Sequence, residues 1–383
     1  MPARAFITGL AGLEVSANER AFLREAEPWG LIVFKRNIKS REQVYQLTSS
    51  FREIVGWMAP VLVDQEGGRV QQLGPPQWPA YPPAAQYGEL YDREPELGIA
   101  AARLAGRLIA ADLAPIGIDV DCSPVADIPV AGADRIIGDR AYGEKPGKVA
   151  ALAAAMATGL MSGGVLPIVK HLPGHGRATL DGHFALPVVT ADRTTLEATD
   201  FAAFRPLNGL PFGMTAHVVF SAIDPVAPAT TSVKIVREVI RGFIGFRGLL
   251  MSDDVSMEPL AESAAARGRL ARVRNAIRRL IGRDEPPPPA EVLFGTLSGT
   301  ITERSRAALA AGCDVVLHCN GNMAEMSEVA AVAPMLTGMA ATRADAALAA
   351  RKSPEEFDIG AARSTFAEMV TAEQPATQRM TGL

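Results

Sequence analysis

Three cysteines in 383 residues, Cys122, Cys313 and Cys319, are an odd number with no close C-x-x-C pair. That argues against a disulfide framework or a zinc knuckle and fits a reducing compartment. No stretch approaches the roughly 18 uninterrupted apolar residues of a membrane span. The opening MPARAFITGLAGLEV has one early arginine and a short apolar run, too brief and broken for a signal peptide. There is no basic excess: the net charge is -4, so no global field points to nucleic acid. No G-x-G-x-x-G follows a strand and opens a helix, which weakens an open dinucleotide-binding sheet. No Gly-rich phosphate loop is evident near the last two strands, which weakens a phosphosugar isomerase. The expectation is a soluble cytoplasmic monomer with no nucleic-acid or membrane partner. Its 48% hydrophobic and 21% charged residues are those of an ordinary globule.

Short apolar runs alternate with helical patterns along the chain. Strands are expected at 5–10, 30–34, 60–64, 117–122, 164–169, 212–217, 248–252 and 314–318. Helices are expected at 16–26, 40–55, 95–113, 148–162, 196–204, 232–243, 301–311 and 359–372. Ser16 and Ser232 are candidate N-caps, and Pro95 suits a first helical position. Continuous apolar strands are what parallel strands covered on both faces look like. The expected architecture is α/β: a (β/α)8 TIM-type barrel over residues 1–350, with a C-terminal tail and helix over 351–383. A doubly wound sheet is the runner-up. Residues 259–297 form a basic helical insertion after strand 7, rich in arginine and closed by Pro286 to Pro289. A surface helix is preferred over an anionic-surface contact for it.

The chemistry concentrates in Lys170 to His183, KHLPGHGRATLDGH. It follows the apolar run 164–169 and holds three of the five histidines, His171, His175 and His183. Gly174, Gly176 and Gly182 make it read as a mobile loop. In a barrel the C-terminal strand ends meet on one face. Asp64, Lys170, His217, Asp253 and His318 each end or closely follow an apolar run. Taken singly, each has a simpler reading. Asp64 could cap a helix, His217 and His318 are expected as hydrogen-bonded core histidines, and His175 as a brace. Asp254 is expected to orient backbone groups.

KHLPGHG followed by Asp181-Gly182-His183 resembles the signature of glycoside hydrolase family 3, most closely its small single-barrel bacterial β-N-acetylhexosaminidase branch. DQEGGRV at 64–70, GDRAYG at 138–143, MTAHVVF at 214–220 and MSDDVSM at 251–257 resemble that branch in the right order. The likeness covers about residues 5–258 and 298–322. It implies a retaining exo-β-N-acetylglucosaminidase acting on (anhydro)muropeptides in cell-wall recycling. By resemblance, Asp253 is the nucleophile and His183 the acid/base, oriented by Asp181. The resemblance also implies that Asp64, Arg140, Lys170 and His171 bind the sugar. A histidine acid/base departs from the usual pair of carboxylates, but imidazole titrates near neutrality, where the chemistry runs. No metal and no cofactor is expected. This chain departs from the branch at Gly182 (usually Ser), at Leu172 (usually Phe) and in the 259–297 insertion.

Two other readings compete. A metal-dependent barrel hydrolase would use strand-end His and Asp, but the His171, His175 and His183 spacing lacks the H-x-H of such sites. A non-catalytic sugar-binding barrel, inactivated by the insertion, would bind ligand without turnover.

Overall fold

The computed structural model describes residues 3–133, 135–178, 186–257 and 299–371. Among the described residues, eight strands close a parallel barrel in sequential order. They are β1 (Arg4–Thr8), β2 (Pro28–Val33), β3 (Val61–Val63), β4 (Val120–Asp121), β5 (Leu166–Leu172), β6 (Phe212–Thr215), β7 (Leu249–Asp254) and β8 (Val315–His318). β8 pairs with β1 through Phe6 and Val316, which closes the ring. The TIM-type expectation holds, and the open doubly wound sheet does not.

Strand alternation explains the packing. Ile7, Ile32, Leu62, Val120, Ile168, Phe212, Met251 and Leu317 fill the barrel interior. Their alternates, such as Leu31, Val61, Val63, Val169 and Leu250, face the surrounding helices. Both faces are buried, so the strands carry no polar alternation until their ends.

The helices begin where the sequence supplies caps. Ser16 and Glu19 form a capping box at α1 (Ala17–Ala26). The Ser40 side chain accepts from Gln43 N–H at the start of α2 (Arg41–Val55). Pro95 opens the helix Pro95–Leu113, and Thr300 with Glu303 caps Ile301–Ala311. The Ser232 hydroxyl accepts from Ile235 N–H, and the helix behind it runs π-helical over Ile235–Phe243.

Three expectations change. The helix expected over 196–204 is two short ones, Arg193–Ala198 and Asp200–Phe204. Thr199 breaks it: its hydroxyl bonds Thr195 O and Asp200 while Arg177 grips Asp200, and such side-chain bonding competes with helix continuation. The strand expected from Gly117 shortens to two residues, because Gly117, at φ 76°, ends a 3-10 turn instead. Most important, β5 runs on to Leu172. Lys170 and His171 therefore sit in a barrel strand, not in a mobile loop, and residues 172–176 behind them are buried. The insertion 259–297 and the rest of that loop, 179–185, lie outside the described residues.

The segment after the barrel packs against it. Arg351 pairs with Asp119, Arg363 with Asp112, and Arg107 donates to Glu355 O. Phe366, on the helix Ile359–Thr371, lies beside Tyr81 and Tyr87. Among the described residues, no helix is long and apolar enough to cross a membrane.

Candidate active site

The polar residues gather at the C-terminal ends of the barrel strands. Asp64 follows β3 directly and opens a tight hairpin, 65–71. Gly67 and Gly68 turn it with φ of 97° and 58°. A Cβ on Gly67 would stand 2.4 Å from Pro82 O, so only glycine fits there. Glu66 lies on the hairpin's first strand, Gln65–Gly67. β5 delivers Lys170, whose Nζ lies 2.6 Å from Asp64 and 2.7 Å from Glu66. Arg140, on the long connection after β4, grips Glu66 through two bonds of 2.8 Å.

Two cations and two carboxylates thus form one buried network, and Glu66 is its hub. Burial opposes charge on Glu66, but Lys170 and Arg140 outweigh it and hold its pKa at about 2. Burial likewise opposes charge on Lys170, yet Asp64 and Glu66 raise its pKa above the ordinary lysine value. The Lys170 side chain is 2% exposed, whereas that of Asp64 is 21% exposed. Asp64 is the member of that ion pair that opens to solvent.

Next along β5, His171 lies against Asp127. Its Nδ1 is 2.6 Å from Asp127 Oδ2, and its backbone N–H reaches Oδ1 at 3.3 Å. The N–H of His175 donates to the same Oδ1 at 2.7 Å. Gly176 makes this packing possible, because a Cβ there would lie 2.2 Å from the Ile128 carbonyl. Burial, then Arg140, push the His171 pKa well below 6.5, so the ring is neutral; Lys170 and His175 add to this and Asp253 opposes it.

β7 ends in Asp253 and Asp254, both half-buried. Asp254 is a backbone organiser, as expected. Its carboxylate accepts from Ser256 N–H at 2.9 Å, from the Ser256 hydroxyl and from Cys319 N–H at 3.1 Å. Asp253 accepts only Asp254 N–H, at 2.8 Å, among the described residues. Burial opposes its ionisation, but His217, His171, the Asp254 N–H and Lys170 together hold its pKa below the ordinary value. His217 is the hydrogen-bonded core histidine anticipated. Its Nδ1 lies 2.7 Å from the Thr230 hydroxyl, and its Nε2 donates to Asp254 O at 3.0 Å. His318 is fully buried beside Glu325, at 3.1 Å.

Asp64, Lys170, Arg140, His171 and Asp253 are therefore brought together. Asp181 and His183 lie outside the described residues. Arg69, on the loop after Asp64, pairs with Asp139 at the rim. Glu66 and Asp127 were not singled out from sequence. The signal for Asp127 was an acid inside the apolar run Val125-Ala126-Asp127-Ile128, where a charge survives only if paired. Glu66 stood two residues from Asp64 with a Gly-Gly turn behind it. Among the described residues, no group of three His, Cys, Asp or Glu is placed to hold a metal ion. A cavity of about 610 Å³ lies at the opposite end of the barrel, by Pro211 and Gly248. Arg241 and Arg343 line it, and both are paired with Asp314.

The model of the Glycosyl hydrolase family 3 N terminal domain matches residues 7–278. A Beta-hexosaminidase from Alkalilimnicola ehrlichii is 36% identical over 314 residues, 82% of this chain and 79% of that protein. Among solved structures, NagZ from Neisseria gonorrhoeae in complex with N-trifluoroacetyl-D-glucosamine aligns with a TM-score of 0.78 and 27% identity. That alignment covers 97% of this chain and 99% of the other. A family 3 β-N-acetylglucosaminidase from Paenibacillus aligns with a TM-score of 0.73 and 26% identity, over 96% of this chain and 67% of its own.

Proposed function

The chain belongs to glycosyl hydrolase family 3 and is a β-N-acetylhexosaminidase, and we propose that it works as a retaining exo-β-N-acetylglucosaminidase through Asp253. The observation that carries this reading is the state of Asp253: an ionised carboxylate, short of partners, on a rigid strand end facing the Lys170–His171 edge of β5. In the first step an oxygen of Asp253 attacks the anomeric carbon and the glycosidic bond breaks. His183 gives its proton to the departing oxygen. In the second step His183 takes a proton from water, the water oxygen attacks the same carbon, and the Asp253–sugar bond breaks. Asp181 holds the His183 tautomer and supports its charged form.

Asp64, Lys170 and His171 bind hydroxyls of the same ring. Arg140 approaches the N-acetyl side from its seat on Glu66. These groups are preorganised by one another, so little reorganisation accompanies charge development at the anomeric carbon. The physiological substrate in this reading is N-acetylglucosamine β-linked to an (anhydro)muropeptide. The setting in this reading is cell-wall recycling by a monomer in the cytoplasm, whose reducing conditions suit three buried free cysteines.

The direct test is release of p-nitrophenol from p-nitrophenyl N-acetyl-β-glucosaminide, with EDTA and without. Turnover at the same rate in both is expected. A folded chain that binds N-acetylglucosamine and releases nothing would overturn the catalytic reading in favour of a sugar-binding barrel. The His183 role has its own test. His183→Ala should slow substrates with poor leaving groups by about 10²- to 10⁴-fold and activated aryl glycosides far less, because acid assistance matters most for a poor leaving group. Equal losses on both would remove His183 as the acid.

A further inference from the structure

We propose that Asp127 is a positioning residue that locks His171 in the Nδ1–H tautomer, so that its Nε2 meets the sugar only as a hydrogen-bond acceptor. This deepens the sugar-binding role given to His171 above and rests on that reading.

The geometry leaves little choice of proton position. Asp127 is wholly buried, receives two backbone N–H groups and meets the ring nitrogen of His171. The backbone N–H of His175 and of His171 occupy Oδ1, at 2.7 and 3.3 Å. The His171 ring occupies Oδ2, at 2.6 Å. Two backbone donors fixed on Oδ1 favour an ionised carboxylate, which then accepts from the ring on Oδ2. Burial leaves the Asp127 pKa above the ordinary aspartate value, although His175, the two backbone N–H groups and Arg140 pull it down.

The ring partner is then neutral imidazole with its proton on Nδ1. Its surroundings agree: burial, Arg140, Lys170 and His175 oppose a positive charge on the ring, and they outweigh Asp253, which favours one. His171 Nε2 has no hydrogen-bond partner among the described residues. With Nδ1 on Asp127, Nε2 is the ring nitrogen left for the sugar. A lone pair fixed there takes a hydrogen bond from a sugar hydroxyl. It offers none to a ring oxygen or a carbonyl. Lys170, one residue earlier, is a pure donor. Neighbouring residues of β5 thus present opposite hydrogen-bond polarity, which discriminates the direction of a hydroxyl rather than its mere presence.

Asp127→Asn inverts this face in a defined way. The two backbone N–H groups hold the Asn carbonyl in the Oδ1 position. Its NH₂ then faces His171 Nδ1 and donates to it, which drives the ring proton to Nε2. The expected result is a swap of ¹⁵N signatures in histidine-labelled protein. His171, assigned by the signal lost in His171→Gln, shows protonated Nδ1 in the wild type and protonated Nε2 in Asp127→Asn.

Kinetically, kcat/KM for the aryl N-acetylglucosaminide falls about 100-fold in Asp127→Asn. In a set of 3-, 4- and 6-deoxy analogues, one loses a similar factor with the wild type and loses nothing further with Asp127→Asn. A wild-type ring protonated on Nε2 would overturn the proposal, whether or not the variant folds. So would an unswapped tautomer, or losses that simply multiply for every analogue. The tautomer readout needs no turnover, so it stands apart from failure of the glycosidase reading.

Discussion

Asp253→Asn is expected to lower kcat by about 10⁴-fold or more while N-acetylglucosamine still binds. The amide has the same shape as the carboxylate and keeps an oxygen for the Asp254 N–H, now at 2.8 Å. The strand end therefore survives, anchored by Asp254 on Ser256 and Cys319. What disappears is a nucleophilic anion. Calorimetric titration with N-acetylglucosamine checks the retained binding, and nitrophenol release checks the lost turnover. A variant at the wild-type rate would remove Asp253 as nucleophile. The native carboxylate also sets a pH expectation. Its pKa lies below the ordinary 3.8, since His217, His171 and Lys170 outweigh burial. Asp253 is thus more than half ionised at every pH above 3.8, and the acid limb it contributes to kcat/KM lies below 3.8.

The barrel was legible in the sequence because its strands are buried on both faces. Runs such as Leu31-Ile32-Val33 and Val61-Leu62-Val63 alternate between interior and helix layer without a polar break. Caps such as Ser16 and Ser232 marked helix starts, because an N-cap acts through a local hydrogen bond. Site residues at strand ends, Asp64 and Asp253, were legible because a charge stops an apolar run. The rest depended on contacts distant in sequence. Lys170 reads as a loop residue because a buried lysine is costly alone; here it continues β5 because Asp64 and Glu66, more than 100 positions earlier, meet its charge. Asp127 is unremarkable until His171 and His175 fold over it. Glycines 174 and 176 suggested mobility, yet Gly176 serves close packing against Ile128. A glycine's two uses, freedom and smallness, look the same in one sequence.

Glu66→Gln is expected to destabilise the protein by about 3 kcal/mol at pH 7, because it leaves Arg140 and Lys170 buried with one partly exposed carboxylate between them. For a chain of 383 residues that corresponds to a melting temperature lower by roughly 4 °C. The effect has a definite pH signature. The folded pKa of Glu66 is about 2, against 4.5 for the free side chain. A depressed carboxyl stabilises fully above its unfolded pKa, and that stabilisation is lost as pH falls from 4.5 toward 2. Gln cannot titrate, so the melting gap between wild type and variant should be full at pH 7, nearly full at pH 5 and clearly narrower at pH 3. A gap that stayed constant over that range would show that packing, not charge, accounts for Glu66. The same variant should raise KM more than it lowers kcat, since in the proposed reading Glu66 holds the two cations that grip the sugar and takes no part at the anomeric carbon. Arg140 is the more affected of the two cations, because Lys170 keeps Asp64 at 2.6 Å whereas both side-chain bonds from Arg140 to a carboxylate end on Glu66.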